Sequence, residues 1–503
     1  MPRLVALSLL VLAAAGCRTY PPLEPVRLAA LEAELGQLLL VGFEGTEAEG
    51  NDAIERLLCE TRVGGVVLFV RNITGDAQAA RLTRALAERA RACTGRPLLI
   101  AVDAEGGQVM RLGPGAGFTA TLSAGELGES NDFTLTELEA RRIGRMLRSA
   151  GINWNLAPVV DVGYEPRNPV IVGAARSFSA NPLLVTEHAR AFIHGLHAEG
   201  VLTALKHFPG HGSTLGDSHK GFVEIPATAN REAELAPYRA LIAERLVDAV
   251  MTAHVVDRAL DSEFPATLSR ATLTGLLRGE LGFDGPVVTD DLRMGAIERR
   301  WGLETAAVTA LAAGADLLLI ADDRLPDGGS AARAALATIQ KRLVSGRLDP
   351  ERVEAALVRV RALKARLEAT AEPRAAAAHA PSRVRTSSRR GSEGWAPRRV
   401  HASAAAALAK RSASASARAS PSATARPALK ASPAAVVSTT ATGSAGARTR
   451  PSAAQASAPR APSVTMTVPA PRLRSMRAAA AADSASRTAM PESRSVSISF
   501  GVR

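Results

Sequence analysis

The sequence predicts an α/β fold of the (β/α)8, TIM-barrel type, and three observations lead there. Between residues 30 and 345, short β-branched apolar runs alternate with stretches of helical periodicity. There are eight such runs, nearly continuous in their hydrophobicity, as strands buried on both faces of a parallel sheet must be. Charged residues gather at the carboxyl ends of the runs, where barrel enzymes assemble their sites from several loops. A doubly wound open sheet is the alternative. No Gly-x-Gly-x-x-Gly follows the first run, which counts against it.

Taken in order, the expected strands are 37–42, 63–70, 97–102, 154–160, 203–207, 249–254, 286–289 and 316–320. Helices separate most of them; 77–92 and 137–150 place apolar residues three and four apart with charges between. Asp103 and Glu105 follow the third run, Asp161 the fourth, Lys206 and His207 close the fifth, His254 the sixth, and Asp290 and Asp291 follow the seventh. Any one of these taken singly also suits the capping of the next helix.

The two ends read differently from the body. Arg3 precedes an apolar run from Leu4 to Ala15, the length of a signal h-region and short for a membrane span. It ends Ala14-Ala15-Gly16-Cys17, which resembles a bacterial lipobox with Cys17 as the lipidated residue. Residues 1–17 are therefore expected to be a lipoprotein leader and 28–372 the barrel domain. Arg18 after the cysteine favours, by resemblance, the periplasmic face of the outer membrane. Residues 373–503 are rich in Ala, Ser, Arg and Pro, with Trp395 and Phe500 as the only aromatics, so a disordered tail is expected.

Charge divides along the same boundary. The tail carries 21 Lys and Arg against 3 Asp and Glu, whereas residues 1–372 carry 40 against 46. An acidic body excludes the barrel as a nucleic-acid binder. The basic tail suits anionic wall polymers or membrane headgroups, or no specific partner. Beyond Cys17 the chain holds Cys59 and Cys93, and their spacing leaves open whether they pair.

The most informative segment is KHFPGHGSTLGDSH, residues 206–219. Pro209, Gly210, Gly212 and Gly216 exclude a helix, so a long loop presents Lys206, His207, His211, Asp217 and His219. The histidines match no standard zinc spacing and Lys206 would repel a cation, so neither metal nor cofactor is expected. Two readings remain: a structural loop whose histidines bond backbone groups, or acid/base work in which Asp217 orients His219. In GPVVTDDLRMGAI, residues 285–297, Asp290 stands at a strand tip where a carboxylate can act as a nucleophile toward an acetal carbon, or cap a helix.

Together with DAEGG (103–107), ARSF (175–178), MTAHV (251–255) and TDDLRM (289–294), the loop resembles the β-N-acetylglucosaminidase branch of glycoside hydrolase family 3 over roughly residues 30–345. The resemblance implies a retaining exo-glycosidase acting on β-linked N-acetylglucosamine of peptidoglycan fragments or related glycans. Asp290 would be the nucleophile, His219 the acid/base and Asp217 its orienting carboxylate. Asp103, Arg111, Arg176, Lys206 and His207 would hold the sugar. The alternatives are a phosphorylase, with phosphate in place of water, and a non-catalytic wall-binding lipoprotein. Departures from the family pattern are Ala104, Gln108, the position of Gly173, and Asn181.

Overall fold

In a computed structural model of the chain, the described residues are 20, 21 and 23–378, with side chains described to 368. The expected leader with Cys17, and the segment from 379 onward, lie outside them.

Eight parallel staves follow one another in chain order, built from nine strands because the fifth is split at Ala204 into Leu202–Thr203 and Leu205–Phe208. Leu39–Gly42, Gly65–Leu68, Leu99–Val102, Trp154–Asn155 and Leu202–Thr203 form one sheet, and Leu318–Ile320 completes it on the far side of Leu39–Gly42. Leu205–Phe208, Val250–Thr252 and Val287–Val288 form a second sheet of three strands. Single parallel bridges, Val159 with Lys206 and Val288 with Leu317, stitch the two sheets at both seams. Neighbours therefore run once around a (β/α)8 barrel, with the regular ladder interrupted at those seams. Leu38 to Val41 and Leu99 to Val102 are buried throughout, as expected of strands covered on both faces.

Each of the eight expected runs contains a strand, several shorter than expected. The fourth stops at Asn155 because a side chain replaces the ladder there: the Asn155 amide donates to the Ala104 carbonyl at 2.9 Å and accepts from the Ala104 N–H at 3.0 Å. The helix expected at 137–150 begins earlier, at Phe133, because Asp132 caps it by accepting the Leu135 N–H at 3.0 Å. Asn181 caps Pro182–Ala198 in the same way through the Leu183 N–H at 2.9 Å. Asparagine at 181 thus does the work an aspartate would do. The helix Asp76–Thr94 ends at Gly95, whose φ of +71° is the left-handed cap glycine adopts without strain.

The last helix, Pro350–Ala378, returns beside the first stave, where the buried Lys364 ammonium donates to Gln37 Oε1 at 2.7 Å. Cys59, on the turn Arg56–Glu60, and Cys93, on Asp76–Thr94, are joined as a disulfide across 34 residues. Among the described residues no helix is long and apolar enough to cross a membrane.

Candidate active site

The carboxyl ends of the staves surround a pocket of about 280 Å3, close to the small end of ligand pockets. Asp103, Arg111, Arg176, Lys206, His207, His219 and Asp290 all line it. Asp217 stands behind His219. The sequence also pointed to Glu105, Asp161, His254 and Asp291 as strand-end residues without giving them a role, and the structure builds all four into the site. Phe69, Met251 and Met294 add apolar walls; the two methionines fall inside quoted motifs without a role given there, and Phe69 carries no sequence signal that separates it from core residues.

One side is a lattice of paired charges. Lys206, 2% exposed, reaches up from its strand and places Nζ 2.7 Å from Asp103 Oδ1 and 2.6 Å from Glu105 Oε1. Glu105 also takes the Arg176 guanidinium in a fork, with both contacts at 2.8 Å. Burial alone would push the Glu105 carboxyl up, but Arg176 and Lys206 together hold it well below the usual range. Asp103 is governed alike: burial raises it, and Lys206 and Arg111 more than reverse the shift. Both carboxylates therefore stay ionised, as acceptors for hydroxyl groups. Arg111 donates to Asp103 Oδ2 at 3.3 Å, while its buried Nε has no partner among the described residues. A donor left over in a pocket wall suits a polar ligand.

His207 is held from behind. Its Nδ1 lies 2.7 Å from Asp161 Oδ2, and Arg176 Nη2 approaches its Nε2 at 3.2 Å. Asp161, fully buried, also accepts the His211 N–H at 2.7 Å, so one carboxylate orients a pocket residue and anchors the start of the loop. His211 itself faces Thr214 and Ser218. Burial pushes its imidazole down to about 4, which makes it a neutral structural group.

The opposite side carries Asp290 and His219. The Asp290 carboxylate accepts only the N–H of Asp291, at 2.8 Å, and no lysine or arginine forms a salt bridge with it among the described residues. Burial raises its pKa, yet His254, His207 and the Asp291 N–H more than offset this and leave it below the usual aspartate range. It is an ionised oxygen pair with free lone pairs, which a nucleophile requires. His254 Nε2 donates to the Asp291 carbonyl at 2.8 Å, and burial lowers the proton affinity of the ring. Asp291 faces elsewhere, accepting the Arg293 and Ala321 N–H groups. Burial raises its carboxyl to about 6.

His219 reaches the pocket from a rim position, 66% exposed, with Nδ1 2.9 Å from Asp217 Oδ1. The same oxygen accepts the His219 N–H at 3.0 Å, so Asp217 fixes both ring and backbone and leaves Nε2 free. The loop tip is docked on the start of Gly295–Ala313: the Gly295 N–H donates to the His219 carbonyl and the Ala296 N–H to the Ser218 carbonyl. The return limb, Val223–Glu224, pairs with Val255–Val256.

A barrel mouth that sets an unpaired carboxylate against a carboxylate-held histidine, beside a wall of sugar-type hydrogen-bonding groups, defines a barrel enzyme of the glycosidase class. The chain belongs to glycosyl hydrolase family 3, whose N-terminal domain matches residues 30–363. It is 37% identical over 351 residues to β-hexosaminidase LpqI of Mycobacterium tuberculosis, covering 68% of this chain and 85% of that protein. It is 36% identical over 333 residues to β-hexosaminidase A of Pseudoalteromonas piscicida, covering 62% of this chain and 55% of that one. Among solved structures it resembles a family 3 β-N-acetylglucosaminidase from Paenibacillus sp. str. FPU-7, with a TM-score of 0.63 and 41% identity over 68% of this chain and 63% of that one. The β-N-acetylhexosaminidase of Beutenbergia cavernae gives 0.60 and 34%, over 67% and 98%. The chain thus spans just over half of the Pseudoalteromonas protein and under two thirds of the Paenibacillus chain.

Proposed function

We propose that the protein is a retaining exo-β-N-acetylglucosaminidase that removes terminal β-linked N-acetylglucosamine from peptidoglycan fragments or related glycans. The observation that carries this is the pairing in the pocket of an ionised Asp290 carboxylate, bonded only by the Asp291 N–H among the described residues, with a rim His219 whose Nδ1 is fixed by Asp217. Asp290 attacks the anomeric carbon while His219 Nε2 protonates the departing glycosidic oxygen, giving a covalent glycosyl-enzyme. The same nitrogen then takes a proton from water, which attacks the anomeric carbon and releases Asp290. Asp103, Lys206, Arg111, Arg176 and His207 hold the sugar hydroxyls and acetamido group through charge-assisted bonds, and a hydroxyl bonded to the Asp103 carboxylate is held more strongly as positive charge develops on the ring. A pocket of about 280 Å3 takes one sugar and leaves the aglycone outside, which fits exo action. The relatives bear hexosaminidase names, so neither a phosphate acceptor nor a non-catalytic role is favoured.

Export with a lipid on Cys17, at the periplasmic face of the outer membrane, accompanies this reading. It is supported by the leader sequence and by the Cys59–Cys93 disulfide, which belongs to an oxidising compartment. The basic tail would add attraction to anionic wall or membrane polymers. Release of chromophore from aryl β-N-acetylglucosaminide and aryl β-glucoside, for wild type and Asp290→Ala, tests the activity. Turnover of the acetamido sugar alone, abolished in the variant, is expected; equal turnover of both sugars, or an active variant, overturns it.

A further inference from the structure

A buried carboxyl outside the pocket lies against the histidine loop. Glu234 sits in the first turn of Arg231–Ala243, 3% exposed. Its Oε1 accepts the Ser213 N–H at 3.1 Å and the Tyr164 hydroxyl at 2.9 Å, and that hydroxyl in turn accepts the Asn230 N–H at 3.0 Å. Its other oxygen fills the space beside Gly210, where φ is +138° and any side chain would collide with it. Both contacts fall within the segment from Gly210 to Ser213, the limb that leads from the pocket lysine and His207 toward Asp217 and His219. Behind it opens a cavity of about 530 Å3, lined by Pro209, Glu224, Ile225, Arg231 and Asp257 among others. Glu234 lines that cavity as well as touching the limb, so loss of its side chain would open the cavity toward Gly210 and Ser213.

We propose that Glu234 is a positioning residue for the acid/base step: its carboxyl pins the inbound limb of the loop at Ser213 and Gly210 and so holds His219 at the pocket rim. The other anchors do not replace it. Asp161 holds the limb at the His211 N–H and Asn168 holds it at the His211 and Gly212 carbonyls, which leaves the Ser213 N–H to Glu234, while the helix Gly295–Ala313 holds the tip at Ser218 and His219. Thr214 turns back onto His211 and meets the Asn168 amide at 3.5 Å, and Leu215 beyond it is exposed, so a shift at Ser213 is carried through Thr214 to Asp217. The carboxyl is suited to a neutral pin, because burial pushes it up to about 7 against the opposing bonds from Ser213 and Tyr164, with Asp161 adding to the rise. A glutamine keeps the acceptor oxygen, whereas an alanine removes it and enlarges the cavity.

This rests on His219 being the acid/base, and leaving-group dependence separates the two claims. A dinitrophenyl leaving group departs without a proton, whereas the alcohol leaving group of chitobiose needs one. Full-length wild type, His219→Ala, Glu234→Ala and Glu234→Gln are compared on both substrates, with and without azide, an external nucleophile that bypasses the general base. Glu234→Ala is expected to lose about tenfold or more in kcat/KM on chitobiose and far less on the activated glycoside, for which azide should raise its kcat as it does that of His219→Ala. Glu234→Gln should stay within about threefold of wild type on both. If His219→Ala shows the dependence on leaving group and Glu234→Ala does not, or if Glu234→Ala falls equally on both substrates without azide rescue, the pin is wrong. If His219→Ala itself shows no such dependence, the acid/base assignment fails first and the role given to Glu234 fails with it.

Discussion

Arg176 and Glu105 lie 71 residues apart in sequence and meet in a two-point ion pair, both contacts at 2.8 Å, almost closed to solvent. Arg176 is thereby committed to the protein along one edge and offers the pocket only what remains. Glu105 also neutralises Lys206. Its conversion to glutamine leaves two cations in a buried site short of a charge, so Glu105→Gln is expected to lose about 3 kcal/mol of stability in denaturant unfolding. Its kcat/KM should fall about tenfold or more through misplacement of Arg176 and Lys206. Unchanged stability and turnover would remove Glu105 from the account.

Gly295 offers a second test of how the loop is held. A Cβ there would stand 2.9 Å from the His219 carbonyl oxygen, closer than such contacts tolerate. Gly295→Ala should push the loop tip off the helix start and lower kcat on unactivated glycosides about tenfold, with a melting temperature close to wild type. A fall in thermal stability with unchanged kcat would contradict this.

Lys364 predicts a slope of stability with pH. Burial, with Arg96 nearby and Glu34 opposing, pushes its ammonium down to about 7, while an unfolded lysine titrates near 10.4. The folded chain holds this proton less tightly than the unfolded chain, so unfolding between these values takes up a proton and stability rises with pH. The rise attributable to this group between pH 7 and 10 is about 4 kcal/mol. Lys364→Met keeps the apolar stem and should abolish that part of the slope when the two proteins are compared by urea unfolding at each pH. Parallel curves would show that the lysine is not held at this value.

The disulfide closes a loop of 34 residues, which the chain-entropy treatment values at about 3 to 4 kcal/mol. For a domain of this size that corresponds to roughly 5 °C. Reduction, or Cys59→Ala with Cys93→Ala, should lower the melting temperature by about that much and leave turnover at 25 °C unchanged, since neither cysteine lines the pocket. No change in melting would mean that the bridge does not form.

The strands were legible because a strand buried on both faces must be written in continuous apolar residues, and helical periodicity marked the spaces between. The pocket residues were legible because chemistry sits at strand ends, and the motif resemblance supplied their roles. Pairings that depend on the third dimension were not. Glu105 and Asp161 read as strand-end acids, but nothing in the chain order says that they neutralise Arg176 and orient His207. Glu234 lies among Arg231, Glu232 and Tyr238 on an ordinary amphipathic helix and reads as a solvated face. Lys364 does too, on a helix dense in charge. Where Asn155 ends its strand, a side chain imitates the backbone, and residue type alone gives no sign of it.

In the proposed mechanism Asp290 becomes covalently bonded to the sugar. This step is tested most directly by treating the protein with a 5-fluoro N-acetylglucosaminyl fluoride, which forms the glycosyl-enzyme faster than it is released, followed by peptic digestion and mass spectrometry. The account predicts a single glycosylated peptide containing residues 285–297, with fragmentation placing the sugar on Asp290 and no adduct in Asp290→Ala. A sugar on any other residue, or inactivation of Asp290→Ala with the same adduct mass, would contradict it.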